Sequence, residues 1–233
     1  MTVSTPSEVS ESNPAMSAIE FYFDYLSPYA YIAWTQLPKL ARRYGRAVRP
    51  VPVLFAALLS ANGTKGPAEI PRKREYVFRD AWRHCHALGL PFVPPPAHPF
   101  HPLLALRATT IAKSEAQPLL ISALFAASWG GQRLAIDDAR VIANVADSIG
   151  IPGVDLLAAA NTDEAKGLLR THTEEALARG AFGVPSMYVD GELFWGFDSF
   201  NHIERRLQGR DPVEGASLEE WRNLPSTATR PQT

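Results

Sequence analysis

An α/β fold is predicted by three features of this 233-residue sequence. A strand–helix–strand unit follows a polar lead. Helical patterns then succeed one another from roughly residue 70 to 180 with no clear strand. A hairpin and a helix close the ordered part. This order, βαβ then helices then ββα, is that of a thioredoxin-like fold interrupted by an all-helical insertion domain. The expected division is residues 18–60 and 181–209 for the discontinuous sheet domain and 61–180 for the insertion. A disordered lead at 1–17 and a loosely held tail at 210–233 flank them, with Trp221 as the tail's large apolar anchor. The insertion forms a lid, and the cleft beneath a lid is a usual ligand site.

The first strand is read from alternation: Ile19, Phe21 and Phe23 are interleaved with Glu20, Tyr22 and Asp24. Ser27-Pro28 then has the form of an N-cap followed by proline at the first helical position. Ala30, Ala33, Leu37, Leu40 and Tyr44 recur at helical spacing, and Gly45 suits the residue past the helix end. Arg49–Phe55 reads as a second strand, limited by its two prolines. A crossover of this length makes the two strands parallel.

Ser60–Pro67 is a polar loop, and Pro71 opens a helix with Phe78, Trp82, Cys85 and Leu88 as its apolar stripe. Cys85 is therefore a buried small hydrophobe. His84 and His86, two apart, point to different faces, and no metal-ligand spacing appears elsewhere. The proline-dense stretch 92–102 is an extended connection. Helices are expected over 103–113, 118–129 and 137–149, and one from a Thr162 cap to Gly180. Pro185–Val189, Asp190-Gly191 and Glu192–Trp195 read as an antiparallel hairpin. Asp198 caps a last amphipathic helix that Gly209 ends.

Composition excludes several classes. Net charge is -1, so nothing global favours nucleic acid or an anionic membrane. No apolar run approaches the roughly 18 residues of a membrane span, and the N-terminus lacks the pattern of a secretory signal. One cysteine allows no internal disulfide, and a cytoplasmic protein is expected.

Ser27 is the candidate for chemistry. At a strand-to-helix corner its hydroxyl sits beside free N–H groups and the positive end of a helix dipole, a place that holds an anion. Read from this stretch alone, a plain cap is the better reading, since Ser-Pro opens many helices. No Gly-x-Ser-x-Gly surrounds it, which argues against a serine hydrolase.

Four motifs add to this. Phe21–Tyr29, Gly66–Arg74, Phe182-Gly-Val-Pro185 and Phe194-Trp-Gly-Phe-Asp198 resemble, in order, those of the 2-hydroxychromene-2-carboxylate isomerases, relatives of DsbA and of kappa-class glutathione transferases. The resemblance spans about residues 19 to 208. It implies a glutathione cofactor whose thiol is hydrogen-bonded by Ser27, in the place where disulfide oxidoreductases carry the first cysteine of Cys-x-x-Cys. A helix N-terminus and a hydroxyl donor lower a thiol pKa, so the nucleophile is the cofactor's sulfur and Ser27 stabilises it.

The resemblance also implies a cis Val184–Pro185 bond, with the Val184 backbone pairing to glutathione; a trans proline opening a strand fits the residues equally. It implies that Asp198 binds the γ-glutamyl amino end, and that Asn62 or Thr64, Lys65 and Lys73 supply polar and basic contacts. The family commonly has a small polar residue before this aspartate and an arginine after it; here Phe197 and Ser199 stand there. Tyr25 and Trp195 are candidates for an aromatic substrate pocket, although core packing is the better single reading of each. The expected activity is interconversion of 2-hydroxychromene-2-carboxylate and trans-o-hydroxybenzylidenepyruvate, with a kappa-type transferase or a glutathione-binding protein without this chemistry as alternatives. The expected partner is a small aromatic substrate, and the resemblance leaves room for a homodimer.

Overall fold

The structure is a computed structural model that describes residues 18–213 and 218–228. The expected lead at 1–17 lies outside the described residues. Strand β1, Ala18–Phe23, pairs in parallel with β2, Ala47–Pro52. It pairs antiparallel with β3, Ser186–Val189, which carries β4, Glu192–Trp195, on its other edge. The order β2-β1-β3-β4 is the four-stranded sheet of the thioredoxin-like fold. The hairpin turn takes positive φ at both Asp190 and Gly191, as a two-residue turn of this kind requires.

Alternation along β1 decides what covers each face. Ile19, Phe21 and Phe23 join the larger core with helix α1, Pro28–Arg43, and the helical block. Tyr22 joins a second cluster with Val51, Val53, Leu58, Ala176 and Tyr188. Two further helices supply Leu58 and Ala176: α2, Phe55–Ala61, and α8, Asp163–Ala178. The expected polar face of β1 is thus itself covered, and Tyr22 and Asp24 are buried.

Helix α2 lay hidden at the end of the second expected strand. That strand stops at Pro52, and Phe55 begins a helix, because Leu54–Ala61 is an apolar, alanine-rich run that suits helix better than strand. Between α2 and α8 come α3, Pro71–Ala87, α4, Leu103–Ile111, α5, Gln117–Ser128, α6, Ala139–Ser148, and α7, Gly153–Ala160. Helix α7 is not expected from the sequence: Gly150 and Pro152 read as a terminator, yet Pro152 takes the N-cap position and the chain turns straight into a new helix.

The inner face of α3 is Ala81 and Cys85, with Phe78 partly buried. Trp82 is 57% exposed and Leu88 39%, so neither belongs to the stripe. The spacing explains it: 78, 81 and 85 share one face, and Trp82 points about a quarter-turn away. Cys85 is fully buried, and burial pushes its thiol up to about 11. Helix α9, Phe200–Leu207, follows a 3-10 turn over Phe197–Ser199. Asp198 is inside that turn, so it is not the cap of the last helix. Trp221, in the short helix Glu219–Arg222, is 64% exposed, against the expectation of an anchor.

Candidate active site

Register brings the two ends of the chain together. Tyr22 faces Ser186 across β1 and β3, so the Val184–Pro185 segment runs past the corner that follows Phe23. There Ser27 is the N-cap of α1, and its Oγ accepts from the Ala30 N–H at 3.1 Å. The same hydroxyl donates to the Val184 carbonyl over a long 3.4 Å. The Val184–Pro185 bond is cis, and the Pro185 carbonyl accepts from the Gly196 N–H at 2.9 Å. Among the described residues nothing bonds the Val184 N–H. Ser27 and Val184 are each 7% exposed, so each keeps a sliver of open surface.

The corner is tied down on several sides. The Trp129 indole N–H donates to the Tyr25 carbonyl at 2.8 Å. His98 donates from Nε2 to the Leu26 carbonyl at 2.9 Å, which leaves its Nδ1 unprotonated, buried and, among the described residues, without a partner. Burial holds the His98 pKa below the usual histidine value, against the pull of that bond, so the ring is neutral near pH 7. The Tyr29 hydroxyl donates to Asp80 of α3 at 2.7 Å. Asp24 accepts from the Leu26 N–H at 3.0 Å and the Phe55 N–H at 2.9 Å. It is fully buried, and desolvation raises it to about 7.

The remaining expected residues divide. Tyr25 does not line a pocket: its ring is fully buried between Phe23 and Phe125, and its hydroxyl bonds Thr109 at 2.7 Å. Trp195 is half exposed and packs on Phe182, with ring centroids 5.1 Å apart. Its indole nitrogen lies 2.6 Å from where a Cβ on Gly183 would stand, so Phe182-Gly-Val-Pro needs its glycine. Asp198 is exposed, and Oδ1 fills the space that a Cβ on Gly196 would need. Asn62 caps the end of α2 and turns its amide back to the Leu58 carbonyl. Thr64 and Lys65 are exposed in the loop after it, and Lys73 is exposed in the first turn of α3. None of the four bonds to the Ser27 corner.

The two departures around Asp198 have structural consequences. Phe197 stacks edge-on against His84 of α3 and packs on Phe200, so an aromatic contact joins the helical block to α9 there. The Ser199 hydroxyl donates to the Gly196 carbonyl at 2.8 Å. Residues that sequence reasoning missed are Asp24, His98 and Trp129. Asp24 carried one signal, a charge ending an otherwise aromatic strand; the other two act from far along the chain, and no local pattern marks them.

Chemically, the corner is a place to hold a thiolate: a hydroxyl donor with a weak present partner, a helix N-terminus and an open backbone edge. The family description "DSBA-like thioredoxin domain" matches residues 18–208. A 2-hydroxychromene-2-carboxylate isomerase from Sphingobium xenophagum is 30% identical over 195 residues, covering 81% of this chain and 97% of that one. A glutathione S-transferase kappa 1 from Caenorhabditis elegans is 24% identical, covering 86% of this chain and 95% of that one. A solved structure of a 2-hydroxychromene-2-carboxylate isomerase superposes with a TM-score of 0.75 at 27% identity, covering 86% of this chain and all of that one. The chain belongs to the DSBA-like thioredoxin domain family and, within it, to that of the 2-hydroxychromene-2-carboxylate isomerases.

Proposed function

We propose that this member of the family is a glutathione-dependent isomerase of aromatic catabolism. Its substrate pair is 2-hydroxychromene-2-carboxylate and trans-o-hydroxybenzylidenepyruvate, or a closely related compound. The observation that carries the reading is the Ser27 hydroxyl at the N-terminus of α1, 3.4 Å from the Val184 carbonyl and beside that residue's unbonded N–H. Glutathione fits these groups, since it brings a thiol, a peptide backbone, an ammonium and two carboxylates.

Each residue has a role. Ser27 Oγ is already an acceptor from Ala30, so its proton is the part left to give, and a thiolate is a stronger acceptor than a carbonyl 3.4 Å away. The α1 dipole adds to this stabilisation. The Val184 N–H and C=O hold an extended peptide as an added strand. Asp198, whose carboxylate makes no hydrogen bond among the described residues, takes the γ-glutamyl ammonium. Lys65 and Lys73 take carboxylates, and Asn62 or Thr64 contributes a polar contact. Bound there, glutathione supplies a thiolate that adds reversibly to the conjugated, ring-opened substrate and so frees one bond to rotate. Trp195 and Phe182 offer an exposed aromatic surface for the substrate beside Val184.

Isomerisation is measured with and without glutathione. Strict dependence is expected; undiminished turnover without the thiol overturns the mechanism. Conjugation of chlorodinitrobenzene in place of isomerisation assigns the same site to a kappa-type transferase.

A further inference from the structure

The site contains a buried acid that this mechanism does not use. Asp24 directly follows β1 and turns into the interior, where no arginine, lysine or histidine among the described residues pairs with it. Its two partners are backbone N–H groups from separate segments. Leu26 N–H, on Oδ1, immediately precedes Ser27; Phe55 N–H, on Oδ2, is in the first turn of α2. The Asp24 carbonyl also accepts from the Ser27 N–H at 3.2 Å.

Burying a carboxylate without a cation is costly. An asparagine of the same size has one acceptor oxygen and a donor in place of the other. It satisfies one of these N–H groups and confronts the second. Only a carboxyl group, whose two oxygens both accept, serves both, and doing so couples the thiol corner to the helix that leads into the Asn62–Lys65 loop. The N–H before it, on Leu54, is held separately by Thr173 Oγ1 of α8 at 3.1 Å. The start of α2 thus has two anchors, of which only Asp24 also grips the Ser27 segment.

We infer that Asp24 is a positioning residue: by holding the Leu26 and Phe55 N–H groups at once, it fixes where the Ser27 hydroxyl points and ties that corner to the opposite wall of the glutathione site. The inference rests on Ser27 being the thiol-holding residue. Tyr25, itself fully buried, is the titratable group whose electrostatics couples to Asp24; α2 carries no charged residue.

Two effects of Asp24→Asn on a bound thiol have opposite signs. Removing a nearby negative charge lowers the thiol pKa; misplacing the Ser27 donor raises it. The experiment is a pH titration of the ultraviolet thiolate band of glutathione bound to wild type, Asp24→Asn and Thr173→Val. The expected result is a rise of about one unit in Asp24→Asn, a tenfold loss of thiolate at a pH below both values. Thr173→Val, which loosens α2 without touching the corner, is expected to leave the value in place, and Asp24→Asn is expected to add nothing in a Ser27→Ala background. A fall or no change in Asp24→Asn, or an equal rise in Thr173→Val, overturns the inference and leaves the role of Ser27 standing. Absence of any thiolate band in wild type overturns both. If the asparagine variant does not fold, Asp24→Ser, a smaller neutral acceptor, is read the same way.

Discussion

The corner from Asp24 to Ala30 and the loop from Asn62 to Gly66 serve one proposed ligand and are built in opposite ways. The corner is buried, and its backbone and side chains bond to Ala30, Val184, Phe55, Asp80, His98, Thr109 and Trp129. The loop is exposed at Asn62 through Lys65, and its side-chain bonds stay within its own neighbourhood. The difference follows from the two tasks. Lowering a thiol pKa needs a donor fixed to a fraction of an ångström, because hydrogen-bond strength falls steeply with distance and angle. Attracting a carboxylate needs only a positive charge within several ångströms, which a lysine on a flexible stem supplies. One region is therefore sensitive to small changes far from it, and the other is tolerant.

The sharpest way to break this contrast is at its centre. Ser27→Ala is expected to lower kcat/KM for isomerisation by about a hundred- to a thousandfold. The lost cap costs only about 1 kcal/mol of stability. Steady-state kinetics beside thermal unfolding separates the two; a large loss of stability with activity intact contradicts the assignment.

The next effect is on stability against pH. Asp24 titrates at about 7 in the folded chain and from a usual value of 3.8 otherwise. Between these values the folded protein holds a proton that the unfolded chain has released, so raising the pH through this window weakens folding. Above pH 7 no further loss comes from this group. Asp24→Asn removes the effect. Its unfolding free energy is expected to gain on wild type as pH rises from about 4 to 7 and to run parallel above that. Equilibrium denaturation across pH checks it, and a constant difference between the two proteins refutes it.

Smaller again is Trp129→Phe, which leaves the Tyr25 carbonyl buried without its donor and is expected to cost about 1–3 kcal/mol. Smallest is the loop. Lys65→Ala and Lys73→Ala are each expected to change stability by under about 0.5 kcal/mol. Each raises the KM for glutathione by an amount that shrinks with added salt. A loop variant that unfolds the protein removes the contrast between the regions.

The same contrast governs what the sequence reveals. Features fixed by local chemistry are legible: the Ser27 cap with Pro28, the Asp190-Gly191 turn, the Thr162 cap whose Oγ1 accepts from Ala165. Periodicity located most of the helical block, failing where two helices abut, at α7, and where an aromatic residue is one position off the buried face, at Trp82. The parts of the corner that come from elsewhere are not legible. Trp129 and His98 reach Tyr25 and Leu26 across 104 and 72 residues, and nothing in their neighbours marks them as ties to a strand end. Tyr25 shows the converse: of its two readings, pocket aromatic and core residue, the core reading is the one that holds, because alternation continues past the strand end and turns the ring inward.

The central claim is that the Ser27 hydroxyl holds glutathione as a thiolate. The direct measurement is the ultraviolet difference spectrum on adding glutathione to wild type and to Ser27→Ala near neutral pH. A thiolate band in wild type that disappears in Ser27→Ala, with the tripeptide still bound by calorimetry, is the predicted result. An identical band in both proteins contradicts it.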